Sequence, residues 1–429
     1  MNNKEKKPIT PSECGVDLAL DHTKRPQQQS GLTPQLDAFF LHRYLGFPLM
    51  VLCFAALFAV SFTIGKPVST WLGAGLDNLA LLFEKSSLGM ALPTLLMGLI
   101  SDGILRGIGS ALAFFPQMLI FYVFYTLVID TGYAARISYL MHKPMSRINM
   151  HGDSFTPLIV GYSCNVPAIA SAKSIPNEID RRIIMLVSSF TPCSARFGVI
   201  LYIAAAFFNP FLATLVMVGL IILSWLVSAV VSFLIKRRYP VEKIDTELPD
   251  LPPYQLPSLR VIAQSALYRT LDFLNRIKNV VIISAVIVWA LSTFPLGTGF
   301  ENSYAALFGR FLEPVGQLAG LNWRLIVALF FGFFAKETTL STLGVLYHAH
   351  EGLGNLGGLL TAHISPLAGL AFLVIYMFYI PCVATVTTIR RETGSTLFAG
   401  FSILVSMGIG FTLGILVYNG GRLILWLVG

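Results

Sequence analysis

Charged residues are scarce in this chain, and their scarcity excludes an ordinary soluble domain. Only 12% of the 429 residues are Asp, Glu, Lys or Arg, whereas 55% are hydrophobic. Soluble domains carry about 25% charged residues. The composition therefore indicates a protein that crosses a membrane several times, and its long apolar runs predict an all-α polytopic fold.

The motifs of common enzymes are missing as well. No Gly-x-x-x-x-Gly-Lys-Ser/Thr phosphate loop occurs, because the single Gly-Lys pair, Gly65-Lys66, is followed by Pro67. No His-Glu-x-x-His, Ser/Lys or paired-Asp arrangement marks intramembrane catalysis. Five cysteines scattered over so long a chain also argue against a disulfide framework. We therefore expect these residues neither to hydrolyse GTP nor to act as another enzyme.

The net charge of +8 comes mainly from polar segments, including one at the start of the chain and one around Lys236. Positively charged loops of a membrane protein stay in the cytoplasm, so this distribution predicts a cytoplasmic N-terminus. The first apolar run begins only near Gly46, after a long polar segment, and is not a secretory signal. No basic face with interleaved aromatic residues is present, which argues against nucleic-acid binding.

Polar and apolar segments divide the chain into two membrane halves. Residues 1–35 are polar and are predicted to form a flexible cytoplasmic tail. The first half is predicted at 36–235, a cytoplasmic linker at 236–278 and the second half at 279–429. In both halves proline, glycine or charged residues interrupt the apolar segments, which predicts broken or re-entrant helices. Such interruptions at corresponding places of two halves point to a transport site between them.

Three cysteines lie beside prolines in these interruptions. They occur in the runs Cys164-Asn165-Val166-Pro167, Pro192-Cys193 and Pro381-Cys382. Proline breaks the helical hydrogen-bond ladder and leaves carbonyl oxygens without partners, which a membrane tolerates only inside the protein or along a water-filled path. A thiol beside such oxygens suits a borderline cation. We therefore predict a metal-ion path through Cys164, Cys193 and Cys382. The alternative is that each cysteine is simply a small residue packed in the interior.

Other polar residues near the interruptions are candidates for the same path. Asn165 and Thr385 mark the open backbone that is expected to supply oxygen ligands, and Glu337 supplies a charge within an apolar helix. Its neighbour Lys336 is expected to pair with an acid or to cap a broken helix. Arg196 would repel a cation, so we interpret it as a clamp for a carboxylate or for free carbonyl groups.

A His-x-His cluster lies outside these interruptions. His348 and His350, with Glu351, follow an apolar segment, and two imidazoles at that spacing would recruit a metal at a pore mouth. The acids nearer the predicted membrane edges are expected to be solvated or to cap helices; they are Asp102, Asp130 and Glu392.

Several sequence blocks, in the same order, resemble the membrane domain of the ferrous-iron transporter B family over about residues 36–425. The blocks are Leu36-Asp37, His42-Arg43-Tyr44-Leu45-Gly46, Asp102-Gly103, Phe115-Pro116-Gln117, Gly132-Tyr133-Ala134-Ala135-Arg136, Cys164-Asn165-Val166-Pro167-Ala168, Cys193-Ser194-Ala195-Arg196, Pro253-Tyr254 with Leu256-Pro257-Ser258-Leu259-Arg260, Gly332-Phe333-Phe334-Ala335-Lys336-Glu337, and Pro381-Cys382-Val383-Ala384-Thr385 with Arg391-Glu392-Thr393-Gly394. The resemblance implies two gate repeats of broken helices that carry Fe²⁺ across a bacterial inner membrane. It makes Fe²⁺ the transported ion, with no permanently bound cofactor.

The chain departs from that family in one large respect. Family members carry a cytoplasmic G domain before the membrane part, whereas residues 1–35 are too few to form one. The resemblance therefore implies a separate small GTPase as a partner, or transport without one. Asp130 and His142 also stand where the family pattern leads us to expect Glu and Asp.

Alternative functions and the oligomeric state stay open at this point. A protein with the same gate fold could carry another divalent metal or a nucleoside. Aromatic and amide side chains lining the breaks would favour a nucleoside, whereas thiols favour a metal. A non-transporting membrane scaffold would instead recruit soluble partners through its tail and residues 236–278.

Overall fold

The computed structural model of the protein consists of helices joined by loops. The described residues are 33–42, 45–85, 93–105, 109, 112, 115–147, 150–175, 177–238, 253–255, 257–295, 300–347 and 353–428. No strand occurs among them, which confirms the predicted all-α fold. Residues 1–32 of the predicted tail lie outside the described residues, as does the cluster of His348, His350 and Glu351.

The first half contains eleven of the helices that we number along the described chain. They are α1 (Thr33–Phe40), α2 (Gly46–Val60), α3 (Lys66–Lys85), α4 (Thr94–Gly98), α5 (Phe115–Asp130), α6 (Tyr133–Ser146), α7 (Phe155–Ser163), α8 (Asn165–Ser171), α9 (Glu178–Val187), α10 (Ser194–Phe207) and α11 (Pro210–Arg238). The backbone stays helical through Ser61–Gly65, so α2 and α3 form one continuous helix of 40 residues. Single helical turns at Ala172–Ser174 and Ser188–Phe190 extend α8 and α9.

The second half contains longer helices at its two ends and shorter ones between them. They are α12 (Leu259–Thr293), α13 (Tyr304–Gln317), α14 (Trp323–Phe334), α15 (Thr338–Leu346), α16 (Leu353–His363), α17 (Pro366–Phe378), α18 (Val383–Thr393) and α19 (Thr396–Val428). Helix α12 begins within the range 236–278 that was predicted as a linker, and α11 ends within it. The start of α12 mixes polar and apolar residues, so a search for purely apolar runs overlooks it.

Side-chain caps explain where several helices begin. The Asn177 side chain accepts hydrogen bonds from the amides of Ile179 and Asp180, at 2.9 and 3.2 Å, and so starts α9. Ser365 caps α17, and Pro366 occupies its first position, where a missing N–H costs nothing. The last turn of α11 carries Lys236 and two arginines, which suit the negative end of a helix dipole.

Several helices are long and apolar enough to cross a membrane. Among the described residues five qualify singly: Gly46–Lys85, Glu178–Phe207, Pro210–Arg238, Pro366–Thr393 and Thr396–Leu427. Two bent pairs raise the number to seven if each pair counts as one span, and they bend by 78° between α5 and α6 and by 43° within α12. The chain is therefore a multi-pass membrane protein.

The spans differ in how deeply they lie within the protein. Glu178–Phe207 and Pro366–Thr393 have 72% and 67% of their most apolar residues buried, whereas the other three spans have 18–22%. The two buried spans are the ones that contain helix breaks, and the outer ones present apolar side chains to lipid. This arrangement meets the requirement that open backbone in a membrane be enclosed by protein.

Candidate ion path

Four helix breaks occupy the centre of the protein. Cys164, with φ −155° and ψ 135°, separates α7 from α8. Residues 191–193 separate the turn at Ser188–Phe190 from α10. In the second half, residues 335–337 separate α14 from α15, and residues 379–382 separate α17 from α18. The prediction of broken helices in both halves is confirmed.

Contacts between the halves bring these breaks together. Helix α8 packs against α18, and α10 packs against α17. Arg196 on α10 donates one hydrogen bond to the Ser189 carbonyl at 2.8 Å and another to the Tyr379 carbonyl at 3.3 Å. The arginine is fully buried and joins the second break to the fourth. Its predicted role as a clamp for free carbonyl groups is confirmed.

The three predicted cysteines lie in one shared region. Cys164, Cys193 and Cys382 are the residues immediately before α8, α10 and α18. Each side chain is half-buried, so it keeps some accessible surface among the packed helices. The Cys164 thiol interacts electrostatically with the other two thiols and with Glu337. The packing of the two halves thus brings together the helices that carry these cysteines, and the role of the thiols as metal ligands stays a prediction.

Asn165 holds the first two breaks together through its side chain. The residue is 4% exposed. The neighbouring groups fix the orientation of its side-chain amide. In that orientation the amide nitrogen donates hydrogen bonds to the carbonyl oxygens of Gly161, at 3.0 Å, and Ser188, at 3.2 Å. Two oxygens released by the breaks are therefore occupied by this amide.

Thr385 lies in the first turn of α18, beside the fourth break. Its amide donates to the Cys382 carbonyl at 2.8 Å, and the amide of Val386 donates to the same oxygen at 3.1 Å. The Thr385 hydroxyl lies 3.1 Å from the Cys382 sulfur. The groups left for a ligand at this position are therefore the thiol and the hydroxyl, since the Cys382 carbonyl is engaged within the helix.

Lys336 and Glu337 lie in the third break. The Lys336 ammonium donates to the Ile380 carbonyl at 2.7 Å and stands 3.7 Å from the centre of the Tyr379 ring. The Lys336 carbonyl accepts a hydrogen bond from the Tyr376 hydroxyl at 2.8 Å. Lys336 thus caps the fourth break, which is one of its two predicted roles. Glu337 interacts electrostatically with Lys336, and its role as a ligand or charge on the path stays a prediction.

Sequence reasoning missed several residues that hold the breaks. The Ser194 hydroxyl donates to the Ser163 carbonyl at 3.0 Å and connects the second break to the first. The Tyr379 hydroxyl donates to the Leu329 carbonyl, which connects the fourth break to α14. The available signal was their position in or beside the motifs, since Ser194 directly follows Cys193 and Tyr379 lies two residues before Pro381.

Side-chain donors occupy much of the backbone that the breaks open. These donors are Asn165, Ser194, Arg196, Ser224 and Lys336. Within the described ranges, no three His, Cys, Asp or Glu side chains are grouped closely enough to hold a metal ion. The arrangement offers separate sulfur and oxygen groups in place of a closed coordination shell. Weak, separate sites suit an ion that must leave again.

A family model described as gate, nucleoside recognition, matches the chain at residues 111–207 and 276–396. The two segments cover about half of the chain. The first contains the breaks at Cys164 and 191–193, and the second contains those at 335–337 and 379–382. The match therefore falls on the four breaks described above.

Curated relatives match most of the chain. It is 32% identical to the Fe(2+) transport protein A/Fe(2+) transporter FeoB fusion protein of Porphyromonas gingivalis, with 94% of the chain and 54% of that protein covered. It is 30% identical to Fe(2+) transporter FeoB of Staphylococcus aureus, with 91% of the chain and 59% of that protein covered. It is 26% identical to Fe(2+) transporter FeoB of Campylobacter jejuni, with 88% of the chain and 64% of that protein covered. The chain thus spans somewhat more than half the length of these relatives. No solved structure matches it.

Proposed function

Because this chain belongs to the gate family and matches Fe(2+) transporter FeoB proteins over about nine-tenths of its length, we propose that it carries Fe²⁺ across a bacterial inner membrane. The observation that carries the proposal is that Cys164, Cys193 and Cys382 each stand at a helix break, and that the helices beside these breaks pack across the two halves. Fe²⁺ accepts sulfur, nitrogen and oxygen ligands. Broken helices at the interface of two repeats are where transporters bind their substrates. Fe²⁺ is the substrate here and not a resident cofactor.

Two buried positively charged side chains lie beside the proposed Fe²⁺ route, so negative charge must offset them. Arg196 and Lys336 would both repel Fe²⁺ in the low-dielectric interior. Glu337 and deprotonated thiols supply the negative charge that offsets them. A thiol must lose its proton to bind a metal, so Fe²⁺ entry goes with proton release from Cys164, Cys193 or Cys382.

A nucleoside is the second candidate substrate, because the matching family is described by nucleoside recognition. Aromatic and amide side chains do lie at the breaks, as that alternative requires. Asn165, Tyr376 and Tyr379 nevertheless direct polar atoms at backbone carbonyls and so hold the helices in place. The thiols at the same breaks are groups that a borderline metal ion binds and a nucleoside does not need, which favours the metal.

The partners and orientation follow from the same membership. The resemblance to the ferrous-iron transporter B family implies a G domain, so a GTP-binding protein that drives or opens the path is the partner we propose. The basic residues at the end of α11 and in the N-terminal segment favour the cytoplasmic side for both. We therefore place the N-terminus in the cytoplasm.

Uptake into proteoliposomes tests the proposal. Purified protein should admit Fe²⁺ under anaerobic, reducing conditions, as read from an iron-sensitive dye trapped inside, whereas protein-free liposomes should not. Excess uridine should leave the Fe²⁺ rate unchanged, and labelled uridine should not accumulate. Accumulation of uridine without any divalent metal would support the nucleoside alternative. Uptake of neither solute, with a GTP-binding partner and GTP supplied, would support the non-transporting scaffold.

A further inference from the structure

Two short helices extend from the cysteine breaks in the same direction. Helix α8 begins after Cys164 and continues through the turn at Ala172–Ser174, while α18 begins after Cys382. Their starts directly follow Cys164 and Cys382, and the helices pack against each other. At 1.5 Å per residue each extends roughly 15 Å. Their far ends therefore lie at a similar level on one side of the breaks.

An ion pair joins those far ends. The Lys173 ammonium, just beyond α8, lies 2.5 Å from a carboxylate oxygen of Glu392 in the last turn of α18. The Glu392 side chain is 3% exposed, whereas that of Lys173 is 60% exposed. The expectation that Glu392 is solvated or caps a helix is wrong, because its carboxylate is buried and paired. We call Lys173 and Glu392 the inter-half ion pair, since they connect the first half to the second.

A third helix contacts the Glu392 side of the inter-half ion pair. Helix α12 packs against α18, and its Arg276 guanidinium lies 3.5 Å from the other oxygen of Glu392. The same guanidinium lies 2.6 Å from Asp272, one turn earlier on α12. The helix bends by 43° between Arg276 and Lys278. The bend of α12 is therefore adjacent to the contact that all three helices share.

Helix α5 lies beside this contact. It packs against α12, and its Tyr122 is buried. Tyr125, one turn further along α5, interacts with the Ser171 side chain at the end of α8. The region between the cysteines and the inter-half ion pair is thus bounded by α5, α8, α12 and α18.

We infer that the inter-half ion pair closes the ion path on this side of the cysteine breaks, and that its separation opens the path. Lys173 and Glu392 hold the free ends of α8 and α18 together, and those helices carry the breaks at their other ends. An arriving cation competes with Lys173 for the Glu392 carboxylate, so the ion itself weakens the closure. The inference rests on the proposed function only in treating this region as the route of Fe²⁺.

Thiol labelling of detergent-solubilised protein tests the inference without any iron. In a Cys14→Ser background, a charged methanethiosulfonate reagent reacts with accessible thiols, and mass spectrometry follows each cysteine separately. Lys173→Met and Glu392→Gln should each raise the labelling rate of Cys164 and Cys382 about five-fold, the change that on the order of 1 kcal/mol makes in an equilibrium. Lys173→Arg keeps the pair and should stay within about two-fold of the parent protein.

Two controls separate opening from general loosening. Arg182→Met removes an exposed charge from an ion pair with Glu178 that lies within α9 and does not join the halves, so it should leave labelling unchanged. Cys53 lies on α2, which packs against α5 and α6, and should react at the same rate in every variant. Unchanged labelling of Cys164 in both Lys173→Met and Glu392→Gln would overturn the inference. An equal increase at Cys53, or in Arg182→Met, would overturn it too.

This readout is independent of substrate. If labelling responds as expected and liposomes still take up no Fe²⁺, the closure stands and the proposed substrate fails. If liposomes transport Fe²⁺ and labelling does not respond, the substrate stands and the closure fails. Lys173→Met keeps the test decisive if Glu392→Gln fails to fold, because the Lys173 side chain is largely exposed.

Discussion

Arg196 and Lys336 show how single buried side chains hold broken helices in a membrane. A helix that stops inside the bilayer leaves carbonyl oxygens that lipid cannot satisfy. Arg196 supplies two donors to such oxygens and Lys336 supplies one. Both residues are at most 3% exposed. Their charges are thus used to cap backbone within the protein, next to the thiols that the ion is proposed to meet.

Replacement of Arg196 by Met should destabilise the protein. The carbonyls of Ser189 and Tyr379 would lose their donor, and each unsatisfied buried group costs about 1–3 kcal/mol. The thermal unfolding midpoint of the detergent-solubilised variant should therefore fall by several degrees. The unfolding midpoint of Arg196→Lys should fall less than that of Arg196→Met, because the lysine keeps one hydrogen-bond donor. Arg310→Met removes an exposed arginine that stacks on Trp323 and should change little. Equal shifts for Arg196→Met and Arg310→Met would contradict the clamp.

At the scale of helices, the positions of the breaks were predictable and their partners were not. Prolines beside Cys164, Cys193 and Cys382 indicated the first, second and fourth breaks, and the charged pair at Lys336 indicated the third. The donors that cap these breaks come from distant sequence, since Arg196 reaches a carbonyl 183 residues away and Lys336 one 44 residues away. No local pattern encodes such contacts, because they exist only after the halves have packed.

Helices α17 and α19 pack closely enough for a single methyl group to matter. A Cβ at Gly410 would lie 3.0–3.2 Å from backbone atoms of Tyr379, at the start of the fourth break, whereas a Cβ at Gly408 would meet nothing. Glycine in a helix normally costs up to about 1 kcal/mol relative to alanine. Gly408→Ala should therefore be neutral or raise the unfolding midpoint. Gly410→Ala should lower both the midpoint and Fe²⁺ uptake, since Tyr379 must move. Identical behaviour of the two variants would show that this close approach is unimportant.

At the scale of the whole molecule, a cluster outside the breaks joins three separate segments. The Arg136 guanidinium lies 2.8 Å from Asp37 of α1 and 3.9 Å above the Tyr254 ring, which precedes α12. Burial raises the pKa of Tyr254, and the nearby Arg136 charge opposes that rise. The residues come from three of the sequence blocks that carry the family resemblance. Their separation along the chain gave no sign that they meet, although the blocks themselves were recognisable.

The central claim is that Fe²⁺ passes the thiols at the meeting point of the four breaks. The most direct measurement is the initial rate of Fe²⁺ uptake by proteoliposomes containing Cys164→Ala, compared with the unsubstituted protein and with Cys53→Ala. We expect Cys164→Ala to unfold at an unchanged temperature and to transport about ten-fold more slowly, as loss of roughly 1.4 kcal/mol of interaction with the ion would produce. Cys53→Ala should transport at the full rate. Normal transport by Cys164→Ala would contradict the cysteine path.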